Sequence, residues 1–139
     1  MSASDVRPAT TADLPRCRAI QSAALSEPWP GLLSTALESG ATFLVVTADG
    51  TAPVGYAVAF AVAGAPVYVP EVAVAPDHQA EGHGTRLLCG LVEDLARAGH
   101  QRVRLTVRAD DDRAREFYRA RGFPVLERRP DHFESGDGL

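Results

Sequence analysis

The sequence predicts one α/β (α+β) domain over residues 1–139, with a mixed, mostly antiparallel central sheet and helices on both faces, in the order β-α-α-β-β-β-α-β-α-β. Three observations carry this. Apolar residues switch along the chain between period two and period 3.6, and the switches fall at turn-forming residues. A chain of 139 residues, 45% hydrophobic and 23% charged, is long enough for a single core. Internal repeats, low-complexity tracts and linkers are not visible in it.

Residues 4 through 8 form a short first strand. Thr10 or Thr11 then caps a helix over Ala12 through Leu25, with Leu14, Cys17, Gln21 and Ala24 on one face. Pro15 is tolerated because first-turn N–H groups lack intrahelical partners. A second, short helix covers Gly31 through Ser39, and Gly40 closes it. Thr42 through Thr47 is a strand, with Asp49-Gly50 as a turn to the next. Val54 through Val62 alternates: Tyr56, Val58, Phe60 and Val62 point one way, Gly55, Ala57, Ala59 and Ala61 the other. The small face lets a helix lie close to the sheet.

Val67 through Val74 is a further strand. Pro70 cannot donate a ladder hydrogen bond, so it marks a bulge or a place where the neighbouring strand parts. From Gly84 to Ala98 a helix aligns Leu87, Leu88, Leu91, Val92 and Leu95, pairs Glu93 with Arg97, and stops at Gly99. Arg102 through Arg108 alternates Val103, Leu105 and Val107 with polar residues. Asp110-Asp111-Asp112 opens a last helix to Arg121, Gly122 terminates it, and Phe123 through Arg128 is a sixth strand.

Bulk properties exclude several function classes. A net charge of −4 gives no electrostatic footprint for nucleic acid. The longest apolar run is strand-sized, which argues against a membrane span, and the N-terminus lacks a basic region followed by an apolar one. The expected compartment is the cytoplasm. All 14 basic residues are Arg, and residues 1–80 carry three of them against seven acids, which fits a cationic acceptor. Cys17 and Cys89 fall among apolar helix positions and read as buried free thiols. His78, His83, His100 and His132 show no metal-ligand spacing, so no metal is expected.

The chemistry-bearing stretch is the strand–turn–helix junction from Val72 to Leu88. Such a junction aims backbone N–H groups and the positive end of a helix dipole at one spot, where phosphate fits. A dinucleotide fingerprint needs a third glycine where Leu87 stands, and the Gly-Lys-Ser/Thr of a P-loop is absent. Gln79-Ala80-Glu81-Gly82-His83-Gly84 instead resembles the Gln/Arg-x-x-Gly-x-Gly/Ala loop of the GNAT superfamily of acetyl-CoA-dependent N-acetyltransferases. A second signature, Asp111-Asp112-Arg113-Ala114-Arg115-Glu116-Phe117-Tyr118-Arg119-Ala120-Arg121-Gly122-Phe123, is similar to that family's Asn-x-x-Ala-x-x-Phe-Tyr-x-x-x-Gly-Phe. The resemblance runs from Asp5 to Phe133, and the element order is that of the GNAT fold.

The resemblance implies a site. Pantetheine would lie along Val72, Ala73 and Val74, where their strand parts from that of Val103 through Val107. The loop Gln79, Ala80, Glu81, Gly82, His83, Gly84 and Thr85 would take the pyrophosphate, glycine at 82 and 84 allowing close backbone approach. Asp111 stands where the family has an Asn that bonds the cofactor; a helix N-cap is its alternative role. Glu71 is the only acid within the central strand, and a carboxylate shielded there suits a general base; a structural pairing with Arg is the alternative. Tyr118 matches the tyrosine whose hydroxyl protonates the CoA sulfur. The Val72 or Ala73 N–H would polarise the thioester oxygen.

The implied activity is acetyl transfer from acetyl-CoA, as co-substrate, to a primary amine by direct attack in a ternary complex, since neither cysteine is placed for an acyl-enzyme. The acceptor is a small molecule or a peptide, with Gln21 through Ser39 and Pro130 onward shaping its pocket. Trp29, Tyr56, Phe60 and Tyr68 would line that pocket or belong to the core. Glu81, an acid beside a pyrophosphate, and Asp111 keep open the alternative of a non-catalytic acetyl-CoA-binding or regulatory module. After Pro130-Asp131-His132-Phe133 the family's last strand is expected to be missing, which exposes sheet edges and predicts a homodimer.

Overall fold

The computed structural model describes residues 4–25, 31–48, 52–61, 66–79, 81–100, 102–105, 112–120, 129–133 and 136–138. It divides into two compact units, Met1–Arg104 and Leu105–Leu139. Along the chain lie β1 (Ser4–Pro8), α1 (Leu14–Ala24), α2 (Leu32–Ser39), β2 (Thr42–Ala48), β3 (Pro53–Phe60), β4 (Val67–Val74), α3 (His83–Arg97), β5 (Val103–Leu105), α4 (Asp112–Ala120), β6 (Arg129–Phe133) and β7 (Gly136–Gly138). The sheet order is β1-β2-β3-β4-β5, and β1 through β4 pair antiparallel. The N–H of Val67, at the start of β4, reaches the carbonyl of Arg102, just before β5, at 2.9 Å.

Each face of the sheet is closed by helices that its side chains suit. Cys17 and Ile20 of α1 and Leu32, Leu33 and Ala36 of α2 pack with Phe43, Val45, Tyr56, Val58 and Ala73 in one buried cluster. Opposite, α3 turns Leu87, Leu88, Leu91 and Leu95 inward. The closeness expected from the small face of β3 is realised: a Cβ on Gly55 would stand 3.1 Å from Leu87 Cδ1 and 2.8 Å from the Ala73 carbonyl oxygen. Gly31 does not begin the second helix but precedes it, and Gly40 ends it at φ 73°.

Pro70 does mark a bulge. Phe60 pairs with Tyr68 and Val58 with Glu71, so two steps on β3 oppose three on β4. The extra residue reverses the side-chain alternation. Glu71 therefore shares a face with Tyr68, Val58 and Tyr56, the face covered by α1, instead of facing α3.

Three expectations are corrected. Val92 is 41% exposed and Cys89 is exposed, because the buried stripe of α3 runs through Leu87, Leu88, Leu91 and Leu95 and both residues fall on its flanks. Only Cys17 is a buried thiol among the two. The last strand is not missing: β6 and β7 form an antiparallel pair, Arg129 opposite Gly138 and Phe133 opposite Gly136. Gly136 and Gly138 supply ladder groups of this short strand from the backbone alone. The expected turn at Asp49-Gly50, Val62, the strand end at Thr106 through Arg108 and the strand at Phe123 through Arg128 lie outside the described residues. Among the described residues no helix is long and apolar enough to cross a membrane.

Candidate active site

The bulge delivers Glu71 into the α1 side of the sheet, where it is 7% exposed. A carboxylate at that depth needs donors, and two neighbours supply them. The Tyr56 hydroxyl of β3 donates to Glu71 Oε1 at 2.7 Å, and the Gln21 amide of α1 donates to the same oxygen at 2.9 Å. Tyr56 is fully enclosed, its ring set edge-on to Phe43 at 6.0 Å. Burial, then the nearby Glu71 charge and their hydrogen bond, raise its phenol far above the usual range. Tyr56 thus donates a hydrogen bond without surrendering its proton. Of the aromatics expected around an acceptor, Tyr56 is core with only its hydroxyl at the carboxylate, Tyr68 and Phe60 are half-buried register partners, and Trp29 lies outside the described residues.

Tyr56 and Gln21 as partners of Glu71 are the residues sequence reasoning missed. A signal existed. Gln21 is an amide on the otherwise apolar stripe of α1, four residues after Cys17, and Tyr56 lies on the large-residue face of β3. Two polar groups on facing apolar surfaces imply a buried third to which both bond.

The other end of β4 leads into the glycine loop. A short 3-10 turn over Pro76–His78 follows the strand, its His78 N–H bonding the Ala75 carbonyl at 2.8 Å. The Gln79 amide donates to the Val74 carbonyl at 3.1 Å and fastens the loop to the strand end. Gly82 precedes α3 at φ 88°, in the left-handed region where an L side chain is strained, and a Cβ there would meet Arg86 Nη1 at 3.1 Å. Gly84 and Thr85 are half-buried in the first turn of α3. Ala80 lies outside the described residues.

Glu81 does not stand free beside this helix start. Its Oε1 lies 3.0 Å from His83 Nε2 and 3.2 Å from His78 Nδ1. Hydrogen bonds from His83 and then His78 hold its carboxyl below the usual carboxylate range. His83 is buried in the loop, at 6% exposure. Donor atoms of His78, Glu81 and His83 all lie within 4.8 Å of one another, a proximity that the spacing of the histidines in sequence does not show. The sequence spacing hid this because the left-handed turn at Gly82 folds the segment back.

Val72 and Val74 are half-buried, and Ala73 is buried opposite Tyr56. In the second unit, Tyr118 is half-buried on α4, its ring edge-on to Phe117 at 5.1 Å. Asp111, one residue before α4, lies outside the described residues. Cys17 is no nucleophile: burial pushes its thiol up to about 12.

Comparison with known proteins adds to this geometry. A sequence model described as the acetyltransferase (GNAT) family matches residues 7–123. No curated protein sequence matches the chain significantly. Among solved structures, the ribosomal-protein-S18-alanine N-acetyltransferase of Escherichia coli superposes with a TM-score of 0.85 at 25% identity, covering 97% of this chain and 89% of that one. Ard1 from Thermoplasma volcanium gives a TM-score of 0.89 at 24% identity, covering 98% and 93%. An acetyltransferase from Elizabethkingia anophelis with acetyl-CoA bound gives 0.81 at 17% identity, covering 97% and 85%.

Proposed function

The chain belongs to the GNAT acetyltransferase family, and from that premise we propose that it transfers an acetyl group from acetyl-CoA to a primary amine by direct attack within a ternary complex. The observation that carries this reading is Glu71, delivered by the bulge and oriented through one oxygen by Tyr56 and Gln21. The amine nitrogen attacks the thioester carbon, Glu71 takes the amine proton directly or through a water, and the carbon–sulfur bond breaks. Tyr118 returns a proton to the departing thiolate, and the N–H of Val72 or Ala73 polarises the thioester oxygen.

The CoA diphosphate is assigned to the loop from Gln79 to Thr85. The left-handed turn at Gly82 and the start of α3 support this, because the N–H groups of a helix's first turn lack intrahelical partners and suit an anion. Asp111 remains the further contact on the cofactor side. For the acceptor, a peptide amine ranks first, because the Escherichia coli neighbour is named as an N-acetyltransferase of a ribosomal-protein alanine. A small-molecule amine ranks second, and the site is assigned to a cytoplasmic enzyme.

A thiol-release screen with acetyl-CoA over alanine-led peptides, polyamines, amino acids and amino sugars tests the reading. At least one amine releases CoA thiol, and Gly82→Asp abolishes calorimetric CoA binding through strain and added negative charge. CoA binding without release from any amine overturns the transferase assignment. Unchanged affinity in Gly82→Asp overturns the loop assignment.

A further inference from the structure

The loop assigned to the CoA diphosphate would hold that group through backbone N–H groups, which leaves the side chains of His78, Glu81 and His83, gathered at the same turn, without a part in acyl transfer. We propose that His78, Glu81 and His83 form a three-ligand site for a divalent transition-metal ion of the zinc class, at the turn between β4 and α3.

The donor set comes first. Two imidazoles and one carboxylate are the ligands of open zinc sites, in which three protein groups hold the ion and a remaining position takes water or another ligand. Imidazole selects against magnesium and calcium, which prefer an all-oxygen shell.

Geometry follows. Glu81 Oε1 lies 3.0 Å from His83 Nε2 and 3.2 Å from His78 Nδ1, and all three donor atoms fall within 4.8 Å of one another. A tetrahedral ion at about 2.0–2.1 Å from each ligand separates neighbouring donor atoms by about 3.3 Å. Two edges of the triangle are therefore near the required length, and the third closes by rotation of the half-exposed His78 ring. The imidazoles stand edge to face with centroids 6.0 Å apart and planes at 66°, so both aim a nitrogen at one carboxylate instead of stacking.

The backbone fixes this arrangement. His78 ends the 3-10 turn that follows Pro76, Gly82 reverses the chain at φ 88°, and His83 is buried in the first turn of α3. Each imidazole ligates as the neutral ring, with its proton on the other nitrogen, so the ion replaces hydrogen bonds to Glu81 with bonds to all three groups. The positive end of α3 opposes a cation here. The Glu81 carboxylate, 51% exposed and already paired with both rings, offsets that opposition.

A loop-fastening network of hydrogen bonds is the competing account, and it requires no metal. Titration of the full chain with zinc chloride against a chromophoric chelator separates the two, with cobalt(II) absorption as a second reading of the ligand set. We expect one zinc per chain at micromolar affinity or tighter, weakened about tenfold or more by His78→Ala and by Glu81→Gln. Tetrahedral cobalt bands are expected in the unsubstituted chain and lost in both variants. His100→Ala leaves affinity unchanged. His83 is buried, so half-exposed His78 and exposed Glu81 carry the test, with circular dichroism confirming the fold of both variants. Absence of stoichiometric zinc binding, or equal affinity in both variants and the parent, overturns the site.

Discussion

Asp13 and Glu71 are both nearly sealed from solvent, at 6% and 7% exposure, yet their partners differ in kind. Asp13 takes Arg7 on both oxygens, Nη1 to Oδ2 at 2.9 Å and Nη2 to Oδ1 at 3.0 Å, and adds the Thr10 N–H at 2.8 Å. The Arg7 bond foremost holds its carboxyl down at about 2. Glu71 takes a phenol and an amide on one oxygen. The first arrangement fastens β1 to the start of α1 with a permanent opposite charge. The second includes a phenol and an amide that both bond one carboxylate oxygen. Depth alone therefore does not decide what a buried acid does; the partners that surround it do.

Exchanging each acid for its amide tests that distinction, and Glu71→Gln carries the largest expected effect. Loss of a general base lowers kcat/KM by about 100- to 1000-fold, or ~3–4 kcal/mol of transition-state stabilisation. The loss is greatest below the apparent pKa of the amine, where a base is needed. Calorimetric CoA affinity stays within about twofold, because the substitution leaves the loop after β4 untouched. A wild-type rate across pH in Glu71→Gln, with a good acceptor, removes the base assignment.

Asp13→Asn should show the opposite pattern, with stability lost and turnover per folded molecule kept. The carboxyl is lowered from 3.8 to about 2 in the folded state. At about 1.4 kcal/mol per pKa unit, discounted because Arg7 is 41% exposed, this amounts to about 1–2 kcal/mol. The sign follows from the depressed folded value. The contribution is fully present above pH 4–5 or so and disappears as pH falls toward about 2. Denaturant melts of both proteins are expected to differ at pH 7 and converge near pH 2; a constant difference across that range breaks the structural half of the comparison.

The sequence made legible whatever followed from periodicity. Glycine and proline punctuation placed α1 through α3 and β1 through β4 within a few residues, and Pro70 announced the bulge. What it concealed was facing. The burial of β4 alternates regularly from Val67 to Val74, yet the bulge turns Glu71 to the α1 side, and only the paired register with β3 reveals it. The same limit hid Tyr56 and Gln21, 35 residues apart in sequence, from their shared carboxylate, and hid His78 and His83 from each other across the turn at Gly82. Long-range register and a left-handed turn set these proximities, and neither leaves a local pattern. Val92 and Cys89 failed for a smaller reason, since apolar character at the flank of a stripe does not locate its edge.

Tyr56→Phe makes the smallest change and refines the account of how Glu71 is held. The substitution deletes one hydroxyl and its 2.7 Å bond while keeping the ring that packs against Phe43. A hydrogen bond to a charged group in a buried setting is worth about 1–3 kcal/mol, and Gln21 remains as a donor, so the expected fall in kcat lies at the low end, about three- to tenfold. KM for the amine stays unchanged, as befits a residue that positions the carboxylate without touching substrate. Burial keeps the Tyr56 phenol protonated far above its ordinary range, so the parent enzyme should show no activity limb from this group anywhere below pH 10. A drop as large as that of Glu71→Gln would make the phenol itself a participant in proton transfer. A rate identical to the parent would mean that the Tyr56 hydroxyl is not needed to orient the carboxylate.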